Sequence, residues 1–310
     1  MPTVATAKTC LVTGGTGFIG SHLVRRLVAD GWRVHVLARA QSSFWRIEDI
    51  AERVQIHRVE KDDYVSGLGR RGWVDAVFHL ATAYGRGGEP ASDVVQTNLC
   101  FPLRLLEWAI AGGVPLYVST DTCFPIDYPY LRGYTVSKKQ FASWAGMLAE
   151  ETATKCVNLV LQHPYGPDDS PGKFVPWLID QCQRNIASID LTAGDQQKDF
   201  IFIDDVVDAY TAIAGAVDRL PDGFVALQCG SGQAISVRRF VELVHRLCGS
   251  RSRLNFGALP DRPGEVRQSV ADVAPLRHLG WRPETALEQG LRRTIPGAMG
   301  TADRGSRGHA

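Results

Sequence analysis

The chain opens on a short apolar run, Cys10-Leu11-Val12, that ends at Thr13 and gives way to glycines. An unbroken apolar run bounded by a turn predicts a strand buried on both faces. From Ser21 to Ala29 the period lengthens: Leu23, Leu27 and Val28 share one side and Arg25 and Arg26 the other, which predicts a helix closed by Asp30-Gly31. Arg33 to Ala38 and the alternating Val54 to Val59 predict the second and third strands, and Asp75 to Ala83 a fourth. Val94 to Ile110 has helical spacing through Leu99, Leu103, Leu106 and Ala109. Leu116 to Ser119 reads as a strand, Val136, Phe141, Trp144 and Leu148 mark a helix, and Val157 to Leu161 is a further strand. Strand and helix alternate throughout, so the fold class is α/β, a Rossmann-type doubly wound parallel sheet.

After Pro167 the pattern changes. Phe174 to Gln183 predicts a short apolar helix and Leu191 to Lys198 a polar, hairpin-like link. Asp199 to Val207 gives a strand and the start of an aspartate-capped helix; Phe224 to Gln228 is apolar; Ser236 caps a helix over Val237 to Cys248; Leu254 to Phe256 is a short strand. These elements divide the chain into a dinucleotide-binding domain, 1–167 with about 198–228, and a smaller C-terminal α/β substrate domain, 168–197 and 229–298. The small, polar stretch 299–310 reads as a disordered tail.

The first turn carries chemistry. Gly14, Gly17 and Gly20 follow the first strand and open the first helix in a G-x-x-G-x-x-G spacing. Strand, glycine turn and helix bring a diphosphate to a helix N-terminus, where free N–H groups and the positive dipole end meet its oxygens. Gly14 suits the tight turn, Gly17 the close approach of the diphosphate, and Gly20 close packing of helix on strand. Phe18 and Ile19, inside the glycine-rich turn, are expected at the same cofactor site. Arg39 follows the second strand, where this fold faces the adenosine ribose. An acidic residue there suits the 2′-OH of NAD; an arginine suits the 2′-phosphate of NADP, with Ser42 adding a hydroxyl. NADPH is therefore the expected cofactor, with NAD the other possibility and a solvated surface arginine the plain reading of Arg39.

A second group of residues sits beyond the fifth strand. Tyr134 and Lys138 are four apart and share one face of a helix. A tyrosine titrates near pH ~10, and a lysine ammonium one turn away favours its phenolate. Thr120, at the strand end, offers a hydroxyl to hold a reacting oxygen. The glycine turn, Thr120 and the Tyr134–Lys138 pair point to proton transfer beside a nicotinamide.

Totals exclude several other classes. The chain has 310 residues, 45% hydrophobic and 22% charged, with a net charge of +1. That balance gives no field for nucleic acid or an anionic membrane, and no apolar run nears the roughly 20 residues that span a bilayer. Met1 to Lys8 lacks a signal-peptide core, so a cytoplasmic location is expected. The seven cysteines are scattered, with no C-x-x-C pair, so neither a disulfide framework nor a metal site is expected.

In this order the motifs resemble the extended short-chain dehydrogenase/reductases, in the nucleotide-sugar branch of the NAD-dependent epimerase/dehydratase family. The resemblance runs from Cys10 to about Ile295. It implies that Thr120, Tyr134 and Lys138 are the catalytic set. It implies too that Leu80 and Ala81, in a His79-Leu80-Ala81 segment, pass over the cofactor, His79 itself reading as a core histidine rather than a base. Asp62 either caps the adenine or makes a loop turn. Asn98 either holds the lysine through a water or lies on a polar helix face. For the substrate, a nucleotide-diphosphate sugar, the implied contacts are Tyr84 in a turn-rich loop over the site mouth, Asp121 on a sugar hydroxyl, Phe174 at the nucleotide, and Lys198 and Arg262 at the diphosphate. Lys198 stands where the family usually has arginine.

Ser119-Thr120-Asp121-Thr122 resembles the S-T-D-E segment of sugar-nucleotide 4,6-dehydratases, with Thr122 in place of the glutamate that serves as base. Dehydration is therefore not expected. Thr-Asp-Thr, the Tyr-x-x-x-Lys-Lys-Gln-Phe run and Lys198-Asp199-Phe200-Ile201 look most like the 4-ketoreductases related to CDP-abequose synthase. The implied reaction is NADPH-dependent reduction of the C4 ketone of a nucleotide-linked 4-keto-6-deoxyhexose. A C4 epimerase with tightly held NAD is the alternative. A non-catalytic dinucleotide sensor would have no need of Thr120, Tyr134 and Lys138 together. A homodimer through the helix before Tyr134 and the helix carrying it is expected, with Leu106 and Trp144 on the contact.

Overall fold

All five residues of β1 (Thr9–Thr13) are buried, and this strand has a partner on each side. A computed structural model describes residues 7–59, 65, 68, 73–86 and 88–297; Asp62 and the expected tail at 299–310 lie outside them. In sequence order the strands of the large sheet are β1, β2 (Arg33–Arg39), β3 (Val54–Val59), β4 (Ala76–His79), β5 (Leu116–Thr122), β6 (Lys155–Leu161) and β10 (Phe224–Cys229). They pair in the order β10-β6-β5-β4-β1-β2-β3, every pair parallel. The expected Rossmann-type sheet is thus present. Strand order reverses between β1 and β4, which makes the ends of those two strands the place where such folds bind ligands.

Helices cover the sheet. α1 (Phe18–Ala29) buries Leu23, Val24 and Leu27 completely, each contributing about 1.5–3 kcal/mol of hydrophobic stabilisation. The helical run at 91–111 is not uniform: α2 (Ala91–Val95) passes into a π-turn at Gln96–Cys100 before α3 (Phe101–Ala111). α4 (Arg132–Ala149) follows β5. Leu105, Leu106, Trp108, Tyr117, Phe141 and Ala145 form one core cluster under these helices. Leu106 is fully buried there, so it is a core residue and not part of a contact surface; on α4 the exposed apolar side chains are Trp144 and Met147.

The chain separates into two units, Met1–Leu161 with Val207–Cys229 and Ala274–Trp281, and Gln162–Val206 with Gly230–Val273 and Arg282–Ala310. This differs from the sequence expectation at three places: residues 162–167 and 198–206 fall in the second unit, and 274–281 in the first. β9 (Gln197–Phe202) pairs with β7 (His163–Tyr165), β11 (Ala234–Ser236) and β13 (Gln268–Ser269), not with the large sheet. The short helix α8 (Ala274–His278) packs on β10 in the first unit. The expected hairpin at 191–198 is absent, because β8 (Ser188–Leu191) pairs in parallel with β12 (Arg253–Phe256). Within the second unit lie α5 (Phe174–Gln183), α7 (Val237–Leu247) and α9 (Leu287–Thr294); α6 (Ile203–Gly215) follows β9. Ser236 caps α7 as its sequence implied, accepting from Arg239 N at 3.2 Å.

Asp199 organises the second unit. Its side chain is fully buried. Its carboxylate accepts from Ser231 N and Oγ at 2.7 and 2.6 Å, and from Gly232 N and Ala271 N, both at 3.1 Å. Four donors compensate the desolvation of the charge. A Cβ on Gly230 would lie 2.3 Å from Asp199 Oδ2, so the loop reaches the carboxylate only as glycine.

At the other edge of the large sheet His35 Nδ1 meets His57 Nε2 at 2.8 Å, and the ring packs on Trp73 at 4.3 Å. Burial, with His57 and Arg33 nearby, pulls His35 down to about 4. The unfolded chain takes up this proton near pH ~6.5. The stabilisation from keeping His35 neutral is therefore complete above that pH and is lost as the pH falls towards 4. The melting temperature should fall between pH 7 and 4.5, and His35→Gln should flatten that fall; an identical slope in a folded His35→Gln protein would refute the assignment.

Candidate active site

The glycine turn is shaped by backbone contacts. Gly14 has φ +68°, and a Cβ there would meet Ala81 N at 2.6 Å and the Leu80 carbonyl carbon at 2.7 Å. Leu80 and Ala81, at the end of β4, therefore press on the turn across the strand-order reversal. Gly17 caps α1 and donates its N–H to Gly14 O at 2.9 Å. A Cβ on Gly20 would sit 2.1 Å from Gly14 O, so the close approach that requires this glycine is to the turn itself and not to the strand. α1 starts with no side-chain cap and no acidic residue in its first turn. Phe18 is buried and Ile19 half-buried at that start. Arg39 is exposed at the end of β2, and Ser42 N closes a turn on Arg39 O at 3.0 Å. Arg46 reaches the turn from the following loop, donating to Thr16 O at 3.3 Å.

Tyr134, Lys138 and the end of β5 come together in the same unit. Lys138 is buried and donates to Thr120 O at 3.0 Å. Burial lowers Lys138 to about 8, with Asp121 opposing and Lys139 adding to the shift. Tyr134 is also buried; its ring lies 4.9 Å from that of Tyr84, and Arg86 sits over Tyr84 at 5.1 Å. Burial raises the Tyr134 phenol well above its usual range, with Tyr84 and Asp121 adding to the rise and a hydrogen bond with Thr122 opposing it. The sequence expectation has Lys138 favour a phenolate; here its ammonium is bonded to the Thr120 carbonyl, and burial favours the neutral form of the Tyr134 phenol.

Thr120 and Thr122 divide the hydroxyl role. The Thr120 hydroxyl donates to His79 O at 3.1 Å and lies 2.6 Å from the Tyr210 OH, while Thr122 is the threonine bonded to the Tyr134 phenol. Tyr210, wholly buried on α6, gave no sequence signal. Asn98 sits in the π-turn, fully buried. Its amide nitrogen donates to Ala83 O at 2.8 Å and Ser137 Oγ at 3.0 Å, and its oxygen accepts from Ala83 N at 2.8 Å. It ties the chain after β4 to α4, one residue before Lys138. His79 is the expected core histidine, with Nδ1 2.9 Å from Thr13 Oγ1 and its pKa pushed far down by burial and by Lys138.

Two proposed substrate contacts are corrected. Asp121 is only 4% exposed; its carboxylate is engaged by Lys139 at 2.9 Å, Asn158 at 3.0 Å and Thr122 N at 2.7 Å. In the second unit Lys198 is 5% exposed, paired with Glu265 at 2.8 Å and bonded to Val266 O at 2.7 Å. Its ammonium holds the 262–266 loop on β9. Arg262 on that loop is exposed. Phe174 is 38% exposed at the start of α5, its ring 6.2 Å from that of Trp177. Among the described residues no cluster of His, Cys, Asp and Glu could hold a metal, and no helix is long and apolar enough to cross a membrane.

Comparison with known proteins gives a consistent result. The model of the NAD-dependent epimerase/dehydratase family matches residues 10–226. CDP-abequose synthase of Salmonella muenchen is 34% identical over 296 residues, covering 93% of this chain and 97% of the relative. UDP-glucose 4-epimerase of Mycolicibacterium smegmatis is 28% identical over 310 residues, covering 92% and 96%. Among solved structures, MoeE5 in complex with UDP-glucose and NAD has a TM-score of 0.75 at 27% identity, covering 93% of this chain and 97% of its own. With the glycine turn at the end of β1 and the Tyr134–Lys138 pair at the end of β5, this match over most of the length means that the chain belongs to the NAD-dependent epimerase/dehydratase family.

Proposed function

We propose that the protein reduces the C4 ketone of a nucleotide-linked 4-keto-6-deoxyhexose with NADPH. The observation that carries this reading is the placement of the Tyr134 phenol: buried, on the α4 face that carries Lys138, and hydrogen-bonded to Thr122 at the end of β5. A reduction needs a proton donor at the oxygen as it gains charge, and a phenol that keeps its proton until then is one. The 34% identity to a CDP-abequose synthase supports a nucleotide-sugar substrate.

The residues fit a nicotinamide dinucleotide. The start of α1, with Gly14, Gly17, Phe18 and Ile19, has no side-chain cap and no acidic residue in its first turn, so the positive end of the helix dipole suits a diphosphate. Arg39 and Ser42 suit a 2′-phosphate, Leu80 and Ala81 line the turn, and Tyr134 and Lys138 suit the nicotinamide ribose. When bound, the cofactor supplies the hydride. Tyr134 then passes its hydroxyl proton to the C4 oxygen. Thr122, bonded to that phenol, fixes its direction. Thr120 becomes a donor to the same oxygen by releasing His79 O while Tyr210 continues to donate to it. Lys138, mostly protonated at neutral pH, adds positive charge to the site. Tyr84, Phe174 and Arg262 are the proposed substrate contacts, and the exposed Trp144 and Met147 are the proposed contact of a homodimer.

A second reading is a nucleotide-sugar C4 epimerase with bound NAD, which the 28% identity to a UDP-glucose 4-epimerase favours. Stoichiometry separates the two: with nucleotide 4-keto-6-deoxysugars the reductase consumes one NADPH per product, whereas an epimerase inverts a plain nucleotide hexose and consumes none. Tyr134→Phe should lower kcat by about 10²-fold or more; near-full turnover would remove Tyr134 from the mechanism. Titration should show NADPH binding more tightly than NADH, and Arg39→Ala should erase the difference. Equal affinities in the wild-type protein would refute the assignment of Arg39.

A further inference from the structure

Two consecutive lysines of α4 reach the last turn of the same strand. Lys138 donates to Thr120 O at 3.0 Å and Lys139 to Thr122 O at 2.7 Å. Between those carbonyls lies Asp121, whose carboxylate pairs with Lys139 at 2.9 Å. The carboxylate is almost wholly buried and the ammonium about one-quarter exposed. Asn158 on β6 donates to the same carboxylate oxygen at 3.0 Å and accepts from Ser119 Oγ at 2.7 Å through its own side chain. The end of β5 is therefore tethered on one side to α4 by charge and on the other to β6 by an amide.

A buried carboxylate in this setting needs a cation, and Lys139 is the one the geometry supplies. The strand end it holds carries Thr120 and Thr122, and the helix it belongs to carries Tyr134 and Lys138. We propose that Lys139 is a positioning residue: through Asp121 it fixes the end of β5 against α4, so that Thr120, Thr122, Tyr134 and Lys138 keep one arrangement. The inference rests on the proposed reduction only where turnover is measured. The pair also sets the charge around Lys138. The charged and titratable groups facing Lys138 are Asp121 on β5, Lys139 and Tyr134 on α4, and His79 on β4. His79 is neutral and Tyr134 keeps its proton, which leaves Asp121 and Lys139 as the opposed influences.

The chain has seven lysines, Lys8, Lys61, Lys138, Lys139, Lys155, Lys173 and Lys198, few enough for each ¹³Cε signal to be followed through a pH titration by NMR. In the wild-type protein Lys138, lowered by burial to about 8, should give the midpoint to follow. Lys139→Met should raise that midpoint and Asp121→Asn should lower it, each by about one pH unit. Lys139→Arg should leave it in place. The double variant Lys139→Met with Asp121→Asn removes the buried charge together with its partner, so it keeps the fold even where a single variant does not. In it the midpoint returns towards wild type, yet turnover stays reduced because the strand end has lost its tether. An unmoved Lys138 midpoint in folded single variants, or wild-type turnover in the double variant, overturns the proposal. The titration needs no substrate, so a wrong assignment of the reaction leaves that arm intact.

Discussion

The site depends first on how closely backbone can approach backbone at the end of β1. Gly14 is held in the left-handed region with Leu80 and Ala81 against the place a side chain would fill, and Gly20 faces the carbonyl of Gly14 at a distance no Cβ tolerates. The consequence is a helix that starts immediately after the strand, at the point where the strand order reverses. A helix N-terminus in that place is suited to an anion. The glycines act as an absence of atoms; the binding capacity lies in the peptide groups that this absence exposes.

The end of β5 works by the opposite means, through crowding. Two ammonium groups, one carboxylate, two threonine hydroxyls and a phenol meet within a few residues of strand and one turn of helix. Burial keeps the phenol neutral and brings the Lys138 ammonium close to losing its proton. A group poised in this way responds strongly to small changes in its neighbours. In the second unit Asp199 shows the purely architectural use of the same chemistry: a buried carboxylate saturated by four donors, with no titratable partner among them.

Much of this was legible in the sequence, and the division is instructive. The first six strands, the glycine turn, the Ser236 cap and the shared face of Tyr134 and Lys138 are written in local spacing, which the chain's own periodicity enforces; the seventh strand, β10, reads in sequence only as an apolar run. Asp121, Lys198, Leu106 and Asn98 were misread or left open because their partners are remote. Asp121 is bonded to a residue 37 positions away and Lys198 to one 68 away. A charged residue in a motif looks the same in sequence whether it faces a ligand or a counter-charge. Leu106 shows the complementary failure: helical spacing marks an apolar face, but not whether the sheet or a partner covers it. The sequence reading gave Thr120 the catalytic hydroxyl and Thr122 only the place of a missing glutamate; it had no signal for the Tyr210 hydroxyl, some ninety positions on, beside Thr120, or for the bond from Thr122 to the Tyr134 phenol.

The π-turn at Gln96–Cys100 has a consequence for how this stretch can change. Such a turn accommodates one residue more than an α-helical turn, so α2 and α3 are out of phase by a single residue. Deleting one residue there would let the helix continue smoothly and could leave Phe101, Leu105 and Trp108 in the core. It would also swing residue 98 away from Ala83 and Ser137, unfastening the chain above β4 from α4. A length change of one residue, silent for packing, would thus be selected against at the site, and an alignment that closes the helix with a gap at this point would pair the wrong residues on one side of it.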